Sequence, residues 1–198
     1  MPFVGLTGGM GAGKSTALAA LERLGAAVIS SDAVVHELYQ GEQLRAAVVA
    51  RWGAEVAPDG VVDRSAVAER AFASAEERAW LEGLLWPLVG ARVAAWLGQV
   101  RASAQSGESA PRAAVVEVPL LFEAGLEGLY DATIAVISDE QLRRKRAAAR
   151  GHALADERSA RQLSQQAKAE RATFVVHNDG SEAELQQGLS SVLDKLGG

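Results

Sequence analysis

Eight residues near the amino terminus, Gly8-Gly9-Met10-Gly11-Ala12-Gly13-Lys14-Ser15, have the types and spacing needed to hold a polyphosphate. They fit G-x-x-x-x-G-K-[ST]. Glycines let the backbone curl so that successive N–H groups point at phosphate oxygens. Lys14 supplies a cation for the β- and γ-phosphates, and the Ser15 hydroxyl is a ligand for magnesium. A helix beginning near Lys14 adds its positive end to the same place. Such a cradle predicts binding of ATP with Mg2+, with Gly8, Gly9, Gly11, Ala12, Gly13, Lys14, Ser15 and Thr16 around the phosphates.

Two further groups of residues bear on what is done with that phosphate. Asp32 follows a short apolar run, Ala27–Ile29, where a carboxylate can take the proton of an attacking hydroxyl or orient it. The same residue can also cap the helix that follows, and its position alone does not choose. Arg143, Arg144, Lys145, Arg146 and Arg150 crowd one predicted helix, with Arg146 and Arg150 four residues apart and so on one face. They suit a flap that neutralises charge on a transferring phosphoryl group, or simply a solvated basic face. His36, one turn past Asp32, either faces the same place or lies on the helix surface.

The elements that must carry these residues alternate. Phe3–Thr7 is a buried strand leading into the glycines, and Lys14–Leu24 a helix stopped by Gly25. Ala113–Val118, Ala132–Ile137 and Thr173–His177 are further strands rich in β-branched residues. Strands separated by helices predict an α/β fold, a three-layer arrangement with a parallel sheet covered on both faces. Between residues 33 and 101 no strand is expected. Ala33–Tyr39, Glu42–Trp52, Arg64–Ala73 and Ala75–Val100 all have helical patterns, the last with a kink or division expected at Pro87. Ser103–Pro111 has loop composition. Helices are also expected over Glu140–Arg150 and Asp156–Arg171. Capping boxes are expected at Ser74–Glu77, Ser138–Gln141 and Ser181–Glu184. The expected organisation is one domain, 1–198: a core over about 1–33, 111–139 and 172–198, a helical insertion over about 34–110, and a mobile flap or lid over about 140–171.

Composition limits the partners. The chain has 198 residues, 48% apolar, with a formal net charge of −5. That balance argues against a general nucleic-acid binder. The absence of cysteine excludes disulfides and thiolate metal sites, and His36, His152 and His177 lack ligand spacing. Neither a signal peptide nor a membrane span is expected, so the expected location is cytoplasmic. No obligate protein partner is evident. A GTPase would carry Asp-x-x-Gly and Asn-Lys-x-Asp, which are missing. A motor ATPase would show a strand ending in Asp, for which Val115-Val116-Glu117 is an imperfect match. A small-molecule kinase remains, with a nucleotide-binding switch as the competitor from another class.

Along nearly its whole length the chain resembles the dephospho-CoA kinase family. The resemblance is carried by Gly5-Leu6-Thr7 running into the phosphate loop and by Ser31-Asp32-Ala33 with Val35-His36. Val118-Pro119-Leu120-Leu121-Phe122-Glu123 with Tyr130-Asp131 adds to it. So do Arg161, Gln165, Lys168 and Ala172, followed by Asn178-Asp179-Gly180-Ser181. The resemblance implies transfer of the ATP γ-phosphate to the 3′-hydroxyl of the ribose of dephospho-CoA. It implies Asp32 as the base, Lys14 and Arg150 on the transferring phosphate, and Arg146 and Asn178 at the nucleotide, with the Asn178–Ser181 turn near adenine. It assigns Asp32, His36, Pro119 and Leu120 to the acceptor. This chain departs from the family pattern at Trp86-Pro87, where His-Pro is usual, at Ala172-Thr173, at Glu117, and in the short spacing between Gln165 and Lys168. The last leaves Arg144 as an alternative to Arg146.

Overall fold

A computed structural model describes residues 1–106, 110–149 and 162–197. The chain divides into two compact units, Met1–Ser30 with Leu97–Gly198, and Ser31–Trp96.

The first unit is built on five strands, β1 (Phe3–Gly8), β2 (Ala27–Ser30), β3 (Ala114–Glu117), β4 (Ala132–Ile137) and β5 (Phe174–His177). All pair in parallel, in the order β2-β3-β1-β4-β5. β1 lies at the centre, and Val4, Leu6, Val115, Ile134 and Val136 are buried with almost no exposed surface. Such near-continuous apolar runs are what a parallel sheet covered on both faces requires. Helix α1 (Lys14–Arg23) packs Ala17, Ala20 and Leu21 into this core, and the carboxyl-terminal helix (Glu182–Gly197) adds Leu185, Leu189, Val192 and Leu193.

The second unit is helical: α2 (Ser31–Leu38), α3 (Glu42–Trp52), α4 (Arg64–Phe72) and most of α5 (Ala75–Gln105). It has its own core of Leu44, Val48, Val56, Val67, Ala71 and Leu81, with Trp52 and Trp80 packed edge to face, their ring centroids 5.0 Å apart. Trp86, by contrast, is 54% exposed. α5 runs through Pro87 without a break and continues past Val100 into the segment expected to be a loop. Gly83, four residues before Pro87, is exposed, so the carbonyl that the proline leaves unbonded is open to water.

Among the described residues, the later helices are α6 (Glu140–Ala149), α7 (Gln165–Arg171) and α8 (Glu182–Gly197). The capping expectations separate on inspection. Ser181 and Glu184 form a full box, with Glu184 N–H donating to Ser181 Oγ and Ser181 N–H donating to Glu184 Oε2 at 2.7 Å. At α5 only half forms: Ser74 Oγ accepts from Glu77 N–H at 3.1 Å, while the Glu77 carboxylate is taken by Arg51 and Trp52. At α6 the cap is Asp139, whose carboxylate accepts from Gln141 and Leu142 N–H. Ser138 Oγ caps nothing, and its backbone amide is held by Gln165 in place of Gln141. Of the expected Asp156–Arg171 helix, residues 156–161 lie outside the described residues, residues 162–164 are not helical, and Gln165–Arg171 is helical with Ser164 as its cap.

Candidate active site

The loop between β1 and α1 has the backbone that its glycines allow. Gly11 and Gly13 have φ of 77° and 93°, which L side chains rarely adopt. A Cβ on Gly11 would overlap the Arg143 carbonyl, and one on Gly13 would overlap the Asn178 amide. Ala12 is wholly buried, Ser15 is exposed in the first turn of α1, and Thr16 is half-buried.

Three neighbours in the first unit brace this loop. From α6, Arg143 donates to the Met10 carbonyl at 3.3 Å. From the segment before α7, Gln162 Oε1 accepts the Met10 N–H at 3.2 Å. From the end of β5, Asn178 Nδ2 donates to the Ala12 carbonyl at 2.8 Å. Neither Arg143 nor Gln162 stood out in the sequence. Arg143 is one of several adjacent cations and Gln162 one of several nearby glutamines, and only the tertiary contact separates them. Arg143 is itself held by Glu140, whose carboxyl lies below its ordinary range, mainly because Arg143 and then Arg144 hydrogen-bond to it. Arg144 is otherwise exposed, whereas Arg146 turns inward and donates to the Asn178 carbonyl at 3.0 Å.

Beside the loop is a cavity of about 250 Å³ lined by Gly13, Thr16, Arg146, Asn178, Gly180 and Glu182. It thus brings Arg146 and Asn178 together with Gly13 and Thr16 of the phosphate loop. Arg150 and Arg161 lie outside the described residues.

The Pro119–Glu123 segment is fastened to β1 by a buried charge. Lys168 of α7 has no exposed surface. Its ammonium donates to the Pro119 carbonyl at 2.7 Å and Thr7 Oγ1 at 3.3 Å, and pairs with Glu123 at 2.9 Å. Three donors thus meet three acceptors. Burial pushes the Lys168 ammonium below its ordinary value, and Glu123 opposes that shift. Thr7 immediately precedes Gly8, so one lysine ties α7, the Pro119 segment and the root of the phosphate loop together. Leu120 is half-buried in that segment. At the end of β3, Glu117 is buried and accepts from Ser30 Oγ at 2.9 Å, the two being register partners across β3 and β2.

Asp32 and His36 belong to the second unit. Asp32 is exposed in the first turn of α2, two residues past β2 in the chain. His36 is exposed on the same helix, with Nδ1 2.7 Å from Arg64 Nη1. A guanidinium only donates, so Nδ1 accepts and the ring proton sits on Nε2.

A parallel sheet whose central strand runs through a glycine-rich loop into a helix defines an α/β protein of the P-loop kinase type. The sequence profile of the family described as Dephospho-CoA kinase matches residues 2–184. A dephospho-CoA kinase of Anaeromyxobacter dehalogenans is 38% identical over 203 residues, spanning 100% of this chain and 93% of the relative. A crystal structure from Thermus thermophilus is 32% identical with a TM-score of 0.80, covering 100% of this chain and 99% of that one. The dephospho-CoA kinase of Campylobacter jejuni, 23% identical, shares the fold with a TM-score of 0.67 over 98% of this chain and 96% of that one. The chain belongs to the dephospho-CoA kinase family and is an ATP-dependent kinase.

Proposed function

We propose that this kinase transfers the γ-phosphoryl group of ATP to the 3′-hydroxyl of the ribose of dephospho-CoA, giving CoA and ADP, the last step of CoA biosynthesis. The observation that carries this reading is the braced phosphate loop beside a cavity, in a chain of this family. The acceptor oxygen attacks the γ-phosphorus in line, the bond to the β–γ bridging oxygen breaks, and ADP leaves. The proton of the hydroxyl passes to Asp32. Lys14 and Arg150 stabilise charge on the transferring group, and Gly8, Gly9, Gly11, Ala12 and Gly13 present backbone N–H groups to the phosphates. Thr16, Arg146 and Asn178 border the nucleoside. His36, Pro119 and Leu120 contact the acceptor.

Magnesium fits the donor set. Among the described residues no cluster of three or more His, Cys, Asp or Glu side chains is arranged to hold a metal ion, whereas Ser15 is exposed in the first turn of the helix that follows the phosphate loop. A magnesium ion held by Ser15 and the ATP phosphates would neutralise phosphate charge. The helices of about 34–110 hold the acceptor, and about 140–171 close as a lid over the donor, excluding water that would otherwise hydrolyse ATP. The core is about 1–33, 111–139 and 172–198. Both substrates are small molecules, and no nucleic acid, membrane or obligate protein partner takes part. Among the described residues no helix is long and apolar enough to cross a membrane. We assign the reaction to the cytoplasm, where a chain without cysteine needs no oxidising compartment.

ADP release from MgATP with and without dephospho-CoA tests the reading. Strong acceptor dependence supports it, while equal slow hydrolysis in both cases means a nucleotide switch. Asp32→Asn should lower turnover at least a hundredfold with little change in ATP affinity; unchanged turnover would remove Asp32 from the proton transfer.

A further inference from the structure

We infer that Arg64 reads the acceptor by its diphosphate: its guanidinium is the cation that meets the 5′-diphosphate of dephospho-CoA. The inference rests on the proposed reading of Asp32 as the group at the acceptor's 3′-hydroxyl. Arg64 opens α4 and is exposed. Arg45, Arg51, Arg70 and Arg92 of the same unit each pair with a carboxylate. Among the described residues no carboxylate pairs with Arg64. The adjacent Asp63 is committed to the Ser65 and Ala66 N–H groups as the cap of α4. Two uncharged side chains of the segment 36–39 hold Arg64 instead. His36 Nδ1 accepts from Nη1 at 2.7 Å, and Cζ lies 5.9 Å from the centre of the Tyr39 ring. The guanidinium is thus oriented while its charge stays uncompensated and most of its donors stay uncommitted. A cation in the first turn also opposes the helix dipole, so helix stability gives no reason for it.

Its place fits that ligand. Asp32 and His36 are four residues apart on α2, so they share one face, about 5.4 Å along the axis from each other. A ribose separates its 3′-hydroxyl from its 5′-oxygen by three carbons, a comparable span. An acceptor with its 3′-hydroxyl at Asp32 can therefore set its 5′-diphosphate at the arginine that His36 holds. A guanidinium meets two phosphate oxygens at once, which gives direction as well as charge. Adenosine has the same hydroxyl and no diphosphate, so it gains nothing from Arg64.

The test is calorimetric titration of the full chain with dephospho-CoA and with adenosine, the donor site being filled beforehand with the magnesium complex of the β,γ-imido analogue of ATP. Arg64→Gln, a change at an exposed position, should weaken dephospho-CoA binding about tenfold or more and leave adenosine binding within about twofold. Arg64→Lys, which keeps the charge without the fork, should fall between. An Arg64→Gln protein that holds dephospho-CoA as tightly as the native chain would overturn the inference. So would equal losses for both ligands, which would mean damage to α2 and α4 alone. Either result, with native transfer to dephospho-CoA intact, leaves the proposed reaction standing. A native chain that neither binds nor phosphorylates dephospho-CoA fails the reaction and this inference together.

Discussion

Lys168 shows how much one residue can carry in this molecule. It is a fully buried cation satisfied by Pro119, Thr7 and Glu123. Lys168→Met would leave the Glu123 carboxylate without its opposite charge, held only by the Leu163 N–H, and such losses cost about 3–5 kcal/mol. We expect urea unfolding to show a loss of about 3 kcal/mol, with much of it restored in Lys168→Met/Glu123→Leu. A single variant as stable as the parent would mean that the pair is stability-neutral. Tyr130 gives a pH prediction. Burial pushes its phenol up to about 12 from an ordinary 10, and its ring stacks on Phe3 at 4.8 Å. Between those values the unfolded chain loses the proton and the folded chain keeps it, so stability falls as pH rises from about 10 to 12. Tyr130→Phe should flatten that part of the stability curve; an unchanged slope would contradict the shift. At this scale the sequence was informative about the glycines of the phosphate loop, because the positive φ of Gly11 and Gly13 follows from local spacing. It gave Arg143 only as one of a cluster of cations and was silent about Gln162, because their contacts with Met10 arise only when distant segments meet.

At the scale of elements, the phosphate loop depends on glycine where φ is positive and space is taken. Gly13→Ala combines both, since φ is 93° and the new Cβ would overlap the Asn178 amide that holds Ala12. The strain of such a position is about 1–3 kcal/mol. We expect a lower melting temperature and at least a tenfold weaker affinity for MgATP by titration; native affinity would mean that the loop accommodates the methyl group. Element positions were readable where hydrophobic period and caps agree, as in α8 with its Ser181–Glu184 box. They were misjudged where a side chain had a better partner elsewhere. Glu77 turns to Arg51 and Trp52, and Gln165 occupies both backbone groups of Ser138, which moves the cap of α6 to Asp139. Those competing contacts join residues far apart in sequence, and local patterns do not register them.

For the whole molecule, strands separated by helices were enough to indicate a parallel α/β sheet. The order β2-β3-β1-β4-β5 was not legible, because each neighbour is reached by a crossover whose length does not specify its destination. The helical character of residues 31–96 was legible from periodicity, and its separate core of Leu44, Val48, Val67 and Leu81 explains why that stretch is compact in its own right. The central claim concerns where the phosphate goes. ATP carrying oxygen-18 on the three non-bridging γ-oxygens, incubated with dephospho-CoA and this chain, tests it most directly, with products identified by mass and by phosphorus NMR. The account predicts CoA that carries three heavy oxygens in a phosphate on the ribose 3′-position. Label found only in inorganic phosphate, with dephospho-CoA unchanged, would contradict it.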